Sequence, residues 1–273
     1  MTVYRAAVLG KPIAHSLSPV IHNAGYAAAG LTGWSYTRIE CAASELPGLV
    51  AGLGPEWAGL SVTMPGKEAA LAVAAEVSPV AAAVGAANTL VRRPDGSWYA
   101  DNTDVSGMVE VLTGAGVRPG ATVTVFGAGG TARAALAAAA RLASGPVTVV
   151  ARRADAVDEL RPVADALDLA LTGADWSDAA RHAGADVVLS TVPRGVADPL
   201  AGAVAWRPGT VLFDALYDPW PTPLAASAEA AGCRIVSGLD LLLAQAVGQF
   251  EQFTGVAAPR AAMAAALAAA RAG

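Results

Sequence analysis

Thr122-Val-Thr-Val-Phe-Gly-Ala-Gly-Gly-Thr-Ala132 is a short β-branched run followed at once by a glycine turn. The run predicts a strand at residues 122–126, and the alanine-rich stretch after the turn predicts a helix over 133–143. The spacing is G-x-G-x-x-A. Gly127 suits a tight turn, Gly129 a close approach by a pyrophosphate, and Ala132 the packing of helix on sheet. Residues 147–151 predict a second strand at the distance a βαβ unit requires. Such a glycine string means little alone, but here it has the demanded strand before it and helix after it. Gly127, Ala128, Gly129, Gly130, Thr131 and Ala132 are therefore candidate dinucleotide-binding residues.

The end of the second strand selects the dinucleotide. A carboxylate there would bond the free ribose 2′-hydroxyl of NAD, whereas this chain has Arg152 and Arg153, which suit the 2′-phosphate of NADP. The plainer alternative is a pair of solvated arginines after a strand. NADP(H) is the expected cofactor.

Outward from this unit, strand-like and helix-like segments alternate along the chain, which predicts an α/β fold with parallel sheets covered by helices. At 273 residues and 54% hydrophobic content there is material for two domains or one large one. A net charge of -5 offers no broad basic surface for nucleic acid, and no apolar run has the form of a membrane span. There is no signal-peptide pattern at the N-terminus. Cys41 and Cys233 are isolated, and His15, His22 and His182 form no paired metal-ligand motif. The expectation is a cytoplasmic, metal-independent protein with a small-molecule substrate and no nucleic-acid or membrane partner, as a monomer or homodimer.

A second stretch carries chemistry: Gly59-Leu-Ser-Val-Thr-Met-Pro-Gly-Lys67, within a strand predicted over 57–63. Lys11 and Lys67 are the only lysines, every other fixed cation being arginine. Either cation supplies surface charge, but only lysine readily gives up its proton. Pro65 suits the first position of a helix, which would put Lys67 in the first helical turn, where the macrodipole disfavours an ammonium. The plain alternative is an ordinary exposed lysine.

Other candidates gather near strand ends. Residues 4–9 predict a strand that runs into Gly10-Lys-Pro-Ile-Ala-His-Ser-Leu-Ser-Pro19, where Ser18 reads as the N-cap and Pro19 as the first position of a helix over 19–29. Ser16 and Ser18 put two hydroxyls where a helix N-terminus favours a small carboxylate; for Ser18, capping alone is the competing account. Residues 34–41 predict a strand and 44–53 a helix. The Ser pair and the Lys67 turn, both at carboxyl ends of strands, are expected to face one pocket. Asn88–Arg93 and Ser97–Ala100 flank Pro94-Asp95-Gly96, an Asp-Gly turn that predicts a β-hairpin. Asn88 at its start is a polar group or a turn residue bonding its own backbone, and Asp104, where a helix over 105–113 begins, is a functional carboxylate or a cap. Residues 186–192 and 210–216 predict buried strands, ending in turns that carry Thr191 and Tyr217. A long helix near Leu239 carries Gln245 among apolar residues, where a satisfied amide with Asp240 as a cap is the plain alternative, and Gly238 stands at its start. Phe250 and Phe253 have helical spacing and read as core.

Together these motifs resemble the shikimate dehydrogenase family. The matching stretches are GKPIAHSLSPVIHN (10–23), GLSVTMPGK (59–67), GAANTL (85–90), DNTDVSG (101–107), GAGGTARA (127–134) and the run 213–255. The resemblance implies a mostly parallel substrate domain over residues 1–104, a Rossmann domain over 105–237 flanking a cleft with it, and C-terminal helices, 238–273, returning to the first domain. It implies reversible NADP-dependent reduction of 3-dehydroshikimate to shikimate in the chorismate pathway to aromatic amino acids. It assigns Lys67 and Asp104 as the catalytic pair, Ser16 and Ser18 to the substrate carboxylate, and Thr63, Asn88, Asp104 and Gln245 to ring hydroxyls, with Tyr217 nearby. Thr191 and Gly238 join the cofactor-side candidates. The chain departs from the commoner pattern at Ser61, a frequent Asn, at Gly66, a frequent larger residue, and at Ala151-Arg152-Arg153, usually Asn-Arg-Thr.

The chemistry agrees with the residues. Oxidising an alcohol with NADP+ removes a hydride from carbon and a proton from oxygen, and no histidine motif is placed to take that proton. Lys67 acts as base with Asp104 orienting it, or it stabilises developing alkoxide charge; an adjacent carboxylate and a helix terminus pull its pKa in opposite directions, and the sequence leaves both open. The alternatives are a quinate/shikimate or aminoshikimate dehydrogenase, and a non-catalytic NADP- or shikimate-sensing module. Retention of both Lys67 and Asp104 speaks against the last.

Overall fold

The computed structural model describes residues 3–272. The chain divides into two compact units, one running to Asp104 and resuming at Leu242, the other Val105–Leu241. The chain therefore returns to the first unit at Leu242, inside the helix Gly238–Thr254, rather than at its start, residue 238. Among the described residues no helix is long and apolar enough to cross a membrane.

The first unit holds β1 (Tyr4–Gly10), β2 (Trp34–Glu40), β3 (Trp57–Val62), β4 (Glu76–Val77), β5 (Thr89–Arg92) and β6 (Trp98–Asp101), in the order β2-β1-β3-β5-β6-β4. β1 runs parallel to β2 and β3, whereas β5 runs antiparallel to β3 and β6. The sheet is mixed because the Asp-Gly turn folds β5 back onto β6, which a short hairpin can only do with antiparallel strands. Leu9, Leu60, Val62 and Leu90 fill the core on this sheet. The Gly238–Thr254 helix returns to the same sheet: a Cβ on Gly59 would lie 2.1 Å from the Phe253 ring, so only glycine lets helix and β3 meet there. Phe250 and Phe253 are core residues, as their spacing predicts.

The second unit holds β7 (Val123–Phe126), β8 (Val147–Ala151), β9 (Leu171–Asp175), β10 (Val187–Ser190), β11 (Val211–Asp214) and β12 (Arg234–Ser237), all parallel in the order β12-β11-β10-β7-β8-β9. This is the doubly wound order, with the reversal beside β7, whose carboxyl end carries the glycine turn. Val187 and Leu189 pack into one apolar cluster while Val188 packs into another, and Val211 and Phe213 alternate with Leu212 in the same way. Both faces are thus covered, as buried parallel strands require.

Candidate active site

β3 ends at Val62, and the chain turns through residues 64–68 before a helix that spans only Ala69–Ala72. This corrects the expectation for Lys67. Pro65 follows a cis peptide bond and lies in the turn, not at a helix start, and Lys67 precedes a four-residue helix whose N-cap position is Glu68. The helix-dipole argument for Lys67 therefore falls. What faces its ammonium is a carboxylate: Nζ donates to Asp104 Oδ2 at 2.6 Å, with the two side chains 32% and 16% exposed.

Asp104 lies in the first turn of the helix Thr103–Gly114. It does not spend its carboxylate as a simple cap; the start of that helix is met instead by Asn88, whose Oδ1 accepts from Thr103 N at 2.8 Å and Thr103 Oγ1 at 3.1 Å. The Lys67 carbonyl accepts from Ala87 N at 2.8 Å. Three segments are thereby closed into a ring: the Lys67 turn holds Ala87, the neighbouring Asn88 holds Thr103, and the neighbouring Asp104 holds Lys67. Asn88 is 3% exposed, and among the described residues nothing accepts from its Nδ2. Thr63 stands between β3 and the turn, its N–H bonded to Leu9 O at 2.8 Å. A Cβ on Gly10 would lie 2.4 Å from Thr63 Cγ2, so the end of β1 must be glycine for Thr63 to sit there.

The serine pair differs from expectation in one respect. The helix spans Ser18–Ala28 with Leu17 at the N-cap position and no side-chain cap, so Ser18 is the first helical residue rather than the cap. Ser16 Oγ accepts from Ser18 N at 3.3 Å, and the Ser16 carbonyl is gripped by Arg38 Nε at 2.9 Å. Ser18 is buried. Gln245 is 7% exposed and donates back to Leu242 O at 2.8 Å, the satisfied-amide arrangement. The first unit thus contains Ser16, Ser18, Thr63, Lys67, Asn88, Asp104 and Gln245. Tyr217 belongs to the second unit, half-buried just beyond β11.

Four residues of the first unit to which the sequence reading gave no role in the site stand among these candidates. Ser61 Oγ donates to Gln249 Oε1 at 2.6 Å and accepts from Tyr36 Oη at 2.5 Å, and His22 stacks on Tyr36 with centroids 4.1 Å apart and planes at 7°. His22 is fully buried, which lowers its pKa from 6.5 to about 3; Gln249 lies near enough to oppose this, but neither ring nitrogen has a partner of hydrogen-bond geometry, so desolvation prevails. Burial raises the Tyr36 pKa, and the Ser61 hydroxyl opposes the rise. One signal was available in the sequence: Gln245, Gln249 and Gln252 recur at helical spacing along a mostly apolar segment.

In the second unit the glycine turn follows β7. Gly127 has φ +99°, and a Cβ there would lie 2.9 Å from Thr191 Oγ1. Thr191 Oγ1 donates to Phe126 O at 2.8 Å, so its hydroxyl holds the turn. Gly129 is the N-cap residue of the helix Gly130–Ala139, which no side chain caps, and a Cβ on either Gly129 or Gly130 would meet nothing within 4 Å. Ala128 and Thr131 are half-buried around this opening, and Ala132 is fully buried against the sheet. An uncapped helix N-terminus beside open space is what a pyrophosphate needs. At the end of β8 the two arginines separate: Arg153 is paired with Asp155 Oδ2 at 2.9 Å, whereas Arg152 is exposed and among the described residues has no ion pair. The residues present suit NADP. Gly238 has a packing reason of its own, since a Cβ there would lie 2.1 Å from Ala215 O.

Residues 8–90 match the model of the shikimate dehydrogenase substrate binding domain, and residues 238–268 match that of the shikimate 5'-dehydrogenase C-terminal domain. A relative from Citrifermentans bemidjiense named shikimate dehydrogenase (NADP(+)) is 38% identical, over 97% of this chain and 94% of its own. Shikimate dehydrogenase from Mycobacterium tuberculosis superposes with a TM-score of 0.89 at 50% identity, covering 97% of this chain and 99% of the other. Shikimate 5-dehydrogenase from Thermus thermophilus, solved in complex with NADP(H) and shikimate, does so at 0.84 and 30% identity over 98% and 100%. With identity of this order along nearly the whole chain, and with the lysine–aspartate pair and the glycine turn in place, the protein belongs to the shikimate dehydrogenase family.

Proposed function

We propose that this protein interconverts 3-dehydroshikimate and shikimate with NADP(H), with Lys67 and Asp104 as its catalytic pair. The observation that carries the mechanism is the 2.6 Å bond between Lys67 Nζ and Asp104 Oδ2. The relatives' names and the complex of the Thermus thermophilus protein support the substrate and cofactor.

Held by the glycine turn at residues 127–132 and by Arg152, NADP(H) would supply the hydride acceptor for the alcohol and the hydride donor for the ketone. The protein's own task is the proton. An ammonium has three hydrogens and Asp104 takes one, which leaves donors for the substrate oxygen. In the reductive direction Lys67 gives a proton to the oxygen as its carbonyl becomes an alcohol; in the oxidative direction Lys67 takes that proton back. Asp104 fixes the side chain in the required direction. Asn88, its Oδ1 held by the backbone N–H of Thr103, turns Nδ2 toward a ring hydroxyl. Ser16 and Ser18 receive the carboxylate. The glycine turn of Gly127–Ala132 receives the pyrophosphate, and Arg152 the 2′-phosphate.

Nicotinamide absorbance followed with shikimate or quinate, each with NADP+ or NAD+, tests the reading. Turnover is expected to be fastest with shikimate and NADP+. Preference for quinate or NAD+ would reassign substrate or cofactor, and no turnover with any pair would reject an enzymatic role in favour of a sensor.

A further inference from the structure

We infer that Gln249 is a positioning residue for the substrate side of this site, fixing Asn88 and, through Asn88, the start of the helix that carries Asp104. The inference rests on the proposed reaction. Gln249 is 1% exposed, and its side chain bonds the candidate Asn88 and two residues beside the candidates, Thr89 and Ser61. Nε2 donates to Asn88 O at 3.0 Å and to Thr89 Oγ1 at 3.1 Å, while Oε1 accepts from Ser61 Oγ at 2.6 Å. Thr89 Oγ1 in turn donates to Asn88 Oδ1 at 2.7 Å. Gln249 therefore grips Asn88 at two points, its main-chain carbonyl directly and its side-chain amide through Thr89.

The orientation of both amides follows from their partners. Asn88 O is only an acceptor, so the Gln249 atom facing it is the nitrogen; Thr103 N is only a donor, so the Asn88 atom facing it is the oxygen. With Oδ1 held inward, Nδ2 of Asn88 is the atom left to meet substrate. Removing Gln249 leaves Ser61 Oγ without its acceptor and Asn88 O with one donor fewer, and both amide rotation and the seat of Thr103 loosen. The neighbouring Asp104 is coupled to this only through the helix start, so the ground-state contact to substrate should suffer before the proton transfer does.

The test compares Gln249→Leu, Gln249→Glu and Thr89→Val with the unmodified enzyme in shikimate oxidation, together with Asn88→Ala alone and combined with each. The expected result is a rise of roughly tenfold in the KM for shikimate in all three single variants, the worth of about one hydrogen bond, with the KM for NADP+ within about twofold. In the Asn88→Ala background the same changes should add little, because positioning acts through the missing amide. Thr89→Val removes the hydroxyl that joins Gln249 Nε2 to Asn88 Oδ1, and with it a 3.2 Å contact to Thr103 Oγ1, but leaves the direct bond from Gln249 to Asn88 O and the shape of the core, so it carries the test if Gln249→Leu does not fold. An unchanged shikimate KM in folded variants, with only the melting temperature lowered, would overturn the inference, as would full additivity with Asn88→Ala. Failure of the unmodified enzyme to oxidise shikimate would overturn the proposed function first and this inference with it.

Discussion

Lys67 meets Asp104 twice over in this fold: directly, Nζ to Oδ2 at 2.6 Å, and indirectly, because its own carbonyl holds Ala87 at 2.8 Å, next to the Asn88 that bonds the residue before Asp104. The pair is oriented by main-chain bonds on both sides, which keeps the ammonium aimed without a helix terminus behind it.

Lys67→Ala is expected to lower kcat by about 10²- to 10⁴-fold with a much smaller change in the KM for shikimate, the range typical of a positioned proton donor. Steady-state kinetics with saturating NADP+ measures this. A large rise in KM at unchanged kcat would make the lysine a binding group instead.

Arg152→Ala should raise the KM for NADP+ by roughly tenfold or more, as loss of charge-assisted bonds to a phosphate does, and leave the weaker NAD+ reaction unaltered. Arg153→Ala should do less, because that guanidinium is already engaged by Asp155 at 2.9 Å. Equal effects on both cofactors would reject the 2′-phosphate clamp.

Gly238→Ala and Gly129→Ala should part company. The first drives a Cβ to 2.1 Å from a backbone carbonyl and is expected to cost stability, on the order of 1–3 kcal/mol, read as a lower melting temperature. The second places its Cβ in open space and should leave the melting temperature unchanged while weakening NADP+ binding, since that space is the proposed seat of the pyrophosphate.

Acid should destabilise the protein through His22. Its folded pKa of about 3 lies below the unfolded 6.5, so between these values the unfolded chain binds a proton that the folded chain refuses. The contribution is whole above pH 6.5 and is lost as pH falls toward 3, at up to about 1.4 kcal/mol per pH unit. The ring is enclosed by the aromatic side chains of Tyr26, Tyr36 and Phe253, with the uncharged Gln249 beside it. His22→Phe should flatten the dependence of urea midpoints on pH over that window; an unchanged slope would show that other groups cause it.

The sequence alone determined the glycine turn and its βαβ setting and the hairpin at Asp95-Gly96, and it named Lys67 and Asp104 as candidates from the chain's chemistry and its family likeness. These are legible because backbone turns, strand pleating and helix starts answer to residues a few positions away. It misled at Lys67, where a good local helix-start signal yielded to the turn that β3 and its neighbours impose, and at Ser18 it found the helix start but put the cap one residue too late. The tertiary structure alone decided that Ser61 meets Gln249 across 188 positions, that His22 lies stacked and neutral, and that it is Arg153, of the two arginines after β8, that Asp155 engages. Such pairings depend on how helices and sheet pack, and no short window of sequence contains both partners.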